Sequence, residues 1–375
     1  MTSVNHVTPS QLTGVLTTIL SAGLVPMVWS APGVGKSHII NNDLVNVYDQ
    51  IAAAVAKGRG IKLNPGEAQV CERRAGDHDL LDFAGLPYVV DGIQRRASSD
   101  IWPGVGATEK VWGILFLDEF TQAGREKQTV VQRLFDEGRV GDYVLPGHHK
   151  ADPKCERGLV LIVLAGNRQS DRANSHGMGT QTGSRVAHVT LEPSVPDWID
   201  WANGNDVDPT VVAFVRQQPE YIFKLDAQQK TEHPTGPTPR TLVHLSNLVK
   251  ECPAPEIETQ LYSGVVGEEC ARAYIALVHA ARSINVEEVL RGNPEGADVP
   301  SEVGHQFAAA SLLIRRANVD NFDNVVRYVS RIGEGGFASP EIAVFVVEAC
   351  KRRNHLLAET ATYRDFCLKW ADIRS

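Results

Sequence analysis

Residues Ser30 to Ser37 read Ser-Ala-Pro-Gly-Val-Gly-Lys-Ser, a run whose types and spacing fit the cradling of a polyphosphate. Gly33 and Gly35 allow the backbone N–H groups to turn inward around phosphate oxygens. Lys36 brings a positive charge, and Ser37 offers a hydroxyl to magnesium. Ser30, Ala31, Pro32, Gly33, Val34, Gly35, Lys36, Ser37 and His38 are therefore the candidate nucleotide contacts. Ser30 stands where a glycine is usual, and a small residue fits there. A second group lies further on: the apolar run Ile114 to Leu117 ends in Asp118-Glu119. Two adjacent carboxylates at a strand end repel each other unless a cation accounts for them. In a nucleoside triphosphatase the first acid holds magnesium through water and the second orients or deprotonates the attacking water.

A third apolar run, Leu159 to Ala165, delivers Gly166-Asn167 to a strand end, where a neutral amide can hold water against a γ-phosphate. Thr182-Gly183-Ser184-Arg185 precedes the expected strand Val186 to Leu191, and Thr238-Pro239-Arg240-Thr241 opens a later helical segment. With these motifs in this order, the sequence resembles the MoxR-like branch of the AAA+ ATPases, relatives of the magnesium-chelatase motor subunit. The matching stretches are Ala31 to Ser37, Leu115 to Glu119, Leu134 to Pro146, Ala165 to Asn167, Ser184-Arg185 and Pro239-Arg240, within about residues 10 to 290.

The resemblance implies Lys36 and Ser37 as nucleotide and magnesium ligands, Asp118 as the magnesium acid, Glu119 as catalytic base and Asn167 as sensor 1. Arg185 would be an arginine finger that reaches a neighbouring subunit's site, and Arg240 would be sensor 2 on a helical lid. ATP and magnesium are the implied cofactors and a homo-oligomeric ring, a hexamer, the implied active state. The remodelled partner is an unidentified macromolecule, a protein before a nucleic acid. One departure is that the family's Asn-Arg pair after the acidic motif reads Thr121-Gln122 here, so that either Arg125 substitutes or that contact is absent.

Elements must position these groups. Leu24 to Trp29 reads as the strand before the loop, and His38 to Tyr48 as the helix after it, with Ile39, Leu44 and Val47 at helical spacing. Thr8 to Gly23 reads as an amphipathic helix with Leu12, Leu16 and Leu20 on one face, and Gln69 to Glu72 as a second strand. Gly76 to Pro103 reads as a hairpin-like insertion. In the MoxR relatives such an insertion faces the pore, so Leu86, Pro87 and Tyr88 are expected to touch a partner. Gln128 to Gly138 is helical, with Val131, Leu134 and Phe135 as its apolar stripe, and Gly141 to Pro146 is extended. The resemblance makes this extended piece a second hairpin before sensor 1.

After Pro193 the pattern turns helical, through Trp198, Trp201 and Val211 to Val215, then 268–283, 303–316, 322–332, 340–352 and 362–372. The expected fold is thus α/β, a P-loop NTPase (AAA+) parallel sheet with helices on both faces, followed by an all-α lid and a C-terminal helical extension. The expected domains are 1–222, 223–292 and 293–375.

The 375 residues are 43% hydrophobic, ordinary for a globular protein with a sizeable core, and the net charge of −8 disfavours broad electrostatic contact with nucleic acid. The six cysteines form no Cys-x-x-Cys pair, which favours a reduced, cytoplasmic protein. His148-His149 with Cys155 lacks the spacing of a closed zinc site. No stretch reaches the ~18 apolar residues of a membrane span, and the N-terminus lacks the order of a signal peptide. Two other functions share these motifs. One is a nucleic-acid motor or helicase loader; the other is a nucleotide-gated assembly protein with little hydrolysis, against which Glu119 argues.

Overall fold

The computed structural model describes residues 6–168, 178–224, 236–282, 286–300, 303–334 and 340–370. Packing divides the chain into two units, Met1–Pro193 and Ser194–Ser375.

In the first unit the chain runs β1 (His6–Val7), α1 (Pro9–Ser21), β2 (Val25–Trp29), α2 (Lys36–His38), a π-helical stretch (Ile39–Leu44), α3 (Tyr48–Arg59), β3 (Gln69–Arg74) and α4 (Leu80–Ala84). There follow the hairpin β4 (Pro87–Val90) and β5 (Ile93–Arg96), then β6 (Val111–Asp118) and α5 (Arg125–Glu137). A short hairpin of β7 (Arg139–Val140) and β8 (Tyr143–Val144) leads to β9 (Gly158–Gly166), α6 (Thr180–Gly183) and β10 (Val186–Leu191). Six strands form one parallel sheet in the order β1-β10-β2-β9-β6-β3.

A parallel sheet must be covered on both faces, because its crossovers lie across them, and its central strands then read as continuous apolar runs. All nine residues of β9 are buried. Leu115, Leu117, Ile162 and Leu164 pack in one core with Val131 and Leu134 of α5. The alternate residues Ile114, Phe116 and Val163 are fully buried as well. The edge strand β3, Gln-Val-Cys-Glu-Arg-Arg, is the polar one, as an unpaired edge requires.

The sequence expectations hold for α1, whose Leu12, Leu16 and Leu20 are buried and whose Thr8 backbone N–H donates to Gln11 Oε1 (3.1 Å). They hold too for α5, which ends at Gly138 in the left-handed conformation. The helix expected over His38 to Tyr48 is different. After one α-turn the backbone winds into a π-helical stretch that buries Ile39, Ile40 and Leu44, and α3 starts anew at Tyr48. Such bulges concentrate at functional sites. The insertion is a true hairpin: Asp91 and Gly92 both have positive φ (52° and 76°), the two-residue turn that matches strand twist.

Every described regular element of the second unit is helical: α7 (Val195–Gly204), α8 (Pro209–Gln217), α9 (Pro239–Lys250), α10 (Pro255–Val266), α11 (Glu268–Arg282), α12 (Val286–Leu290), α13 (Val303–Arg316), α14 (Phe322–Glu334), α15 (Pro340–Arg353) and α16 (Ala361–Lys369), with short 3₁₀ turns. They share one core, which includes Phe214, Leu245, Tyr274, Tyr328 and Val346. A polar pin crosses it. Asp208 caps α8 by accepting from Thr210 N (2.9 Å) and lies 3.6 Å from Arg315 of α13; the Thr210 hydroxyl meets the Tyr274 hydroxyl of α11 (2.5 Å). Burial pushes the Tyr274 phenol well above its ordinary pKa. The chain therefore has the parallel α/β sheet expected of it, followed by an all-helical part. No helix among the described residues is long and apolar enough to cross a membrane.

Candidate active site

Because the six strands of the main sheet are parallel, their C-terminal ends lie together, and ligands of open α/β sheets bind beyond those ends. Trp29 pairs in register with Gly166, and Arg74 with Asp118. The segments that follow these strands carry the candidate residues. Ser30, Lys36 and Ser37 follow β2, Asp118 and Glu119 close β6, and Asn167 follows β9.

The loop after β2 is shaped by Gly33 (φ 79°) and Gly35 (φ 109°), conformations that cost other residues dearly. Lys36 is 8% exposed. Its Nζ donates to Ser30 Oγ (2.9 Å) and to Asn167 Oδ1 (3.2 Å), so the ammonium bridges the start of the loop and the end of β9. Ser30 also takes part through its backbone, N–H to Gly166 O (3.3 Å). The small side chain at position 30 is thereby explained: it is fully buried against the lysine it serves.

Ser37 Oγ donates to Asp118 Oδ2 (3.1 Å), and Asp118 Oδ1 accepts the Glu119 backbone N–H (2.8 Å). A hydroxyl and a carboxylate side by side are hard oxygen donors of the kind magnesium takes alongside phosphates, so the residues present fit that ion. Glu119 has φ 53° and ψ 29°, the left-handed region, which for a residue other than glycine costs of order 1 kcal/mol. Its half-buried side chain lies beside Gly76 and Gln122: a methyl group placed on Gly76 would stand 3.8 Å from Glu119 Oε2 and 3.6 Å from Gln122 Oε1. A carboxylate held next to a site by strained backbone has the position a general base needs.

Thr121, one half of the departure Thr121-Gln122, is fully buried, and its hydroxyl donates to Asn167 O (3.4 Å). This tie fixes the backbone of Asn167 against the turn after Glu119. The approach is close. A Cβ on Gly166 would meet Thr121 Cγ2 at 2.7 Å and Met27 Cε at 2.9 Å. Thr121 was not singled out from the sequence as a site residue, and its type alone gives no signal. The pairing Glu72 Oε2 with Asn41 Nδ2 (2.6 Å), between β3 and the π-helical stretch, likewise has no sequence signature. Arg125 is exposed at the first position of α5.

Arg185 follows α6 and is partly exposed. Its Nε is 2.6 Å from Asp136 Oδ2, and its Nη1 donates to Gln181 O (2.5 Å). Nearby, His188 joins this segment to the loop strand. Trp29 Nε1 donates to His188 Nδ1 (2.9 Å), which leaves Nε2 as the protonated nitrogen, 2.9 Å from Gly183 O. Arg240 belongs to the second unit. It is exposed at the second position of α9, and among the described residues it makes no hydrogen bond or ion pair. A cation in the first turn of a helix opposes the helix dipole, so nothing within α9 rewards it there. Ala31, Pro32, Val34 and His38 complete the loop and its first helical turn. The His148 and His149 rings, in the loop before β9, lie 4.3 Å apart and tilted at 39°, and among the described residues no group of three or more metal-binding side chains assembles.

No family profile and no curated protein matches this sequence. Solved structures that it resembles include NtrX from Brucella abortus, at 16% identity over 93% of this chain and 67% of that one, with a TM-score of 0.30. NtrX in complex with ATP matches at 14% identity, 96% and 65% coverage and a TM-score of 0.30. ORC2 of Aeropyrum pernix, solved as ADPNP and ADP complexes, matches at 12% identity, 96% and 84% coverage and a TM-score of 0.30. At this level the likenesses carry no argument, and the site stands on its own geometry.

Proposed function

We propose that the chain is an ATP-hydrolysing AAA+ motor of the MoxR-like type. The observation that supports this best is the convergence of Lys36 and Ser37, from one strand-loop-helix unit, on Asn167 and Asp118, which arrive from two other strand ends. In this reading the loop N–H groups and Lys36 hold the β- and γ-phosphates. Ser37 and Asp118 hold magnesium, which supplies charge neutralisation on the phosphate oxygens when bound. Glu119 takes the proton of the attacking water, and Asn167 orients that water. Arg185 stabilises the charge that builds on the γ-phosphate of a neighbouring subunit, which makes a ring, a hexamer by resemblance, the active state. Residues 223–292 act as the lid that carries Arg240, and residues 293–375 as a helical extension.

The work done on a partner falls to the hairpins. On β4–β5 and its approach, Leu86, Val89 and Ile93 are all more than half exposed, and the hairpin is braced by the Tyr88 hydroxyl donating to Asp142 Oδ2 (2.6 Å) in the β7–β8 turn. Exposed apolar groups on a braced hairpin suit contact with a macromolecule. The test is ATP turnover by purified protein at increasing concentration, with and without single-stranded DNA, together with capture of partners by the Glu119→Gln form locked on ATP. Turnover that rises with assembly and ignores DNA is expected. Absent turnover with intact binding would favour a nucleotide-gated assembly protein instead, and strong stimulation by DNA a nucleic-acid motor.

A further inference from the structure

Arg185 is bound into a closed hydrogen-bonded circuit with one face of α5. The Thr182 hydroxyl, on a residue 4% exposed, donates to Gln132 Oε1 (3.0 Å). The Gln132 amide in turn donates to Asp136 Oδ2 (3.2 Å), and the same oxygen takes the Arg185 Nε at 2.6 Å. Gln132 and Asp136 are one helical turn apart on the last two turns of α5, and Thr182 and Arg185 are three residues apart, so two rigid pairs face each other. On its other side Arg185 Nη1 is held by Gln181 O, an oxygen that also accepts from Ser184 Oγ (3.0 Å). Two of the three guanidinium nitrogens are thus fixed within the chain, and Nη2 has no partner among the described residues.

We infer that Asp136 is a positioning residue that, with Gln132 and Thr182, holds the Arg185 guanidinium ready to present Nη2 to a phosphoryl group of the neighbouring subunit. This inference rests on the reading of Arg185 as a finger that acts in trans. A flexible arginine loses freedom when it engages an anion, and a clamp on its Nε edge removes that loss beforehand. A half-exposed ion pair adds little to stability. Its effect is therefore expected on turnover rather than on folding. Because α5 begins shortly after Glu119, the clamp also stands on the helix that issues from the subunit's own acidic motif.

Mixed rings test it. In rings of Glu119→Gln and Arg185→Ala subunits, activity arises only where the intact site of the Arg185→Ala subunit meets the intact Arg185 of its Glu119→Gln neighbour. Adding Asp136→Ala to the Glu119→Gln subunit, the one that donates the finger, is expected to lower kcat at least about tenfold, within the roughly 10²-fold that a 1 Å misplacement can cost. KM for ATP should change less than twofold. Adding Asp136→Ala to the Arg185→Ala subunit instead should leave kcat unchanged. Thr182→Val, which keeps the shape and removes the hydroxyl, should give a smaller loss with the same dependence on placement, and it serves where Asp136→Ala does not assemble. Equal losses in both placements, or loss in neither, overturn the positioning role. If parent mixed rings form, as crosslinking shows, yet have no activity above the sum of the two mutants, the trans reading of Arg185 falls and the positioning role falls with it.

Discussion

The two units treat polar groups in opposite ways. In the first, Asp118, Glu119 and Asn167 sit at strand ends and Lys36 at the start of α2, held together beyond the C-terminal edge of the sheet. In the second, Asp208, Thr210 and Tyr274 are buried inside the helical core, where Asp208 and Tyr274 are 2% and 1% exposed and the polar atoms tie α8 to α11 and α13. A polar group at a sheet end can keep its charge available for chemistry, whereas one in a core is satisfied locally and fixes architecture. Substitutions in the first unit should therefore change function with little change in folding, and those in the second should do the reverse.

The largest expected effect is that of Lys36→Ala. Removing the ammonium proposed to hold the phosphates should weaken ATP binding by about 10³-fold, or ~4 kcal/mol, in isothermal titration. An affinity within twofold of wild type would contradict the phosphate-loop assignment. Next comes Glu119→Gln, which keeps the shape but cannot accept the proton of water. Steady-state turnover should fall at least ~10²-fold while ATP affinity, measured on the same preparation, stays put. Turnover near wild type would remove Glu119 as the base.

On the other side of the comparison, Asp208→Ala strips the α8 cap and leaves Arg315 without its carboxylate. Urea unfolding should show a loss of about 2 kcal/mol with ATP affinity unchanged. A loss of ATP affinity instead would break the division between the units. The smallest effect belongs to Tyr274→Phe, about 1 kcal/mol near neutral pH from the lost hydroxyl contact. Its pH dependence is more telling. The folded phenol is raised above its unfolded value of about 10, so its contribution is complete below pH 10 and is lost as pH rises beyond that. Wild type should lose stability on alkaline titration more steeply than Tyr274→Phe, and identical curves would mean that the phenol ionises freely.

How much of this could be read from the sequence depended on whether the signal was local. The placement of the loop after β2, of the Asp118-Glu119 strand end and of Asn167 was legible because each brings unusual polar groups to the end of an apolar run. Strand Val186–Leu191 and helix Val303–Arg316 were read with the limits the structure gives them. The π-helical stretch was not legible, since Ile39 and Leu44 fit an α-helical stripe as well as a wider one. Helix α10 escaped because its apolar residues Ile257 and Leu261 are exposed while Glu258 is buried, which blurs its periodicity. Asp136 and Thr121 matter only through what they touch, and Trp29 with His188 are partners across 159 residues, a pairing that no spacing rule encodes.

Gly166 carries a consequence for how this chain can vary. Its missing side chain is the room into which Thr121 and Met27 reach: a Cβ there would meet Thr121 Cγ2 and Oγ1 at 2.7 and 2.8 Å and Met27 Cε at 2.9 Å, and both neighbours are themselves fully buried. Drift at position 166 is therefore closed unless position 121 first becomes smaller, and a smaller residue without a hydroxyl would release the Asn167 carbonyl. Among sequences descended from a common ancestor, alanine at 166 should be found only beside alanine or glycine at 121, because both Thr121 Cγ2 and Oγ1 would stand within 3.0 Å of the new Cβ; the coupled pair of changes has intermediates that are disfavoured in one order and tolerated in the other.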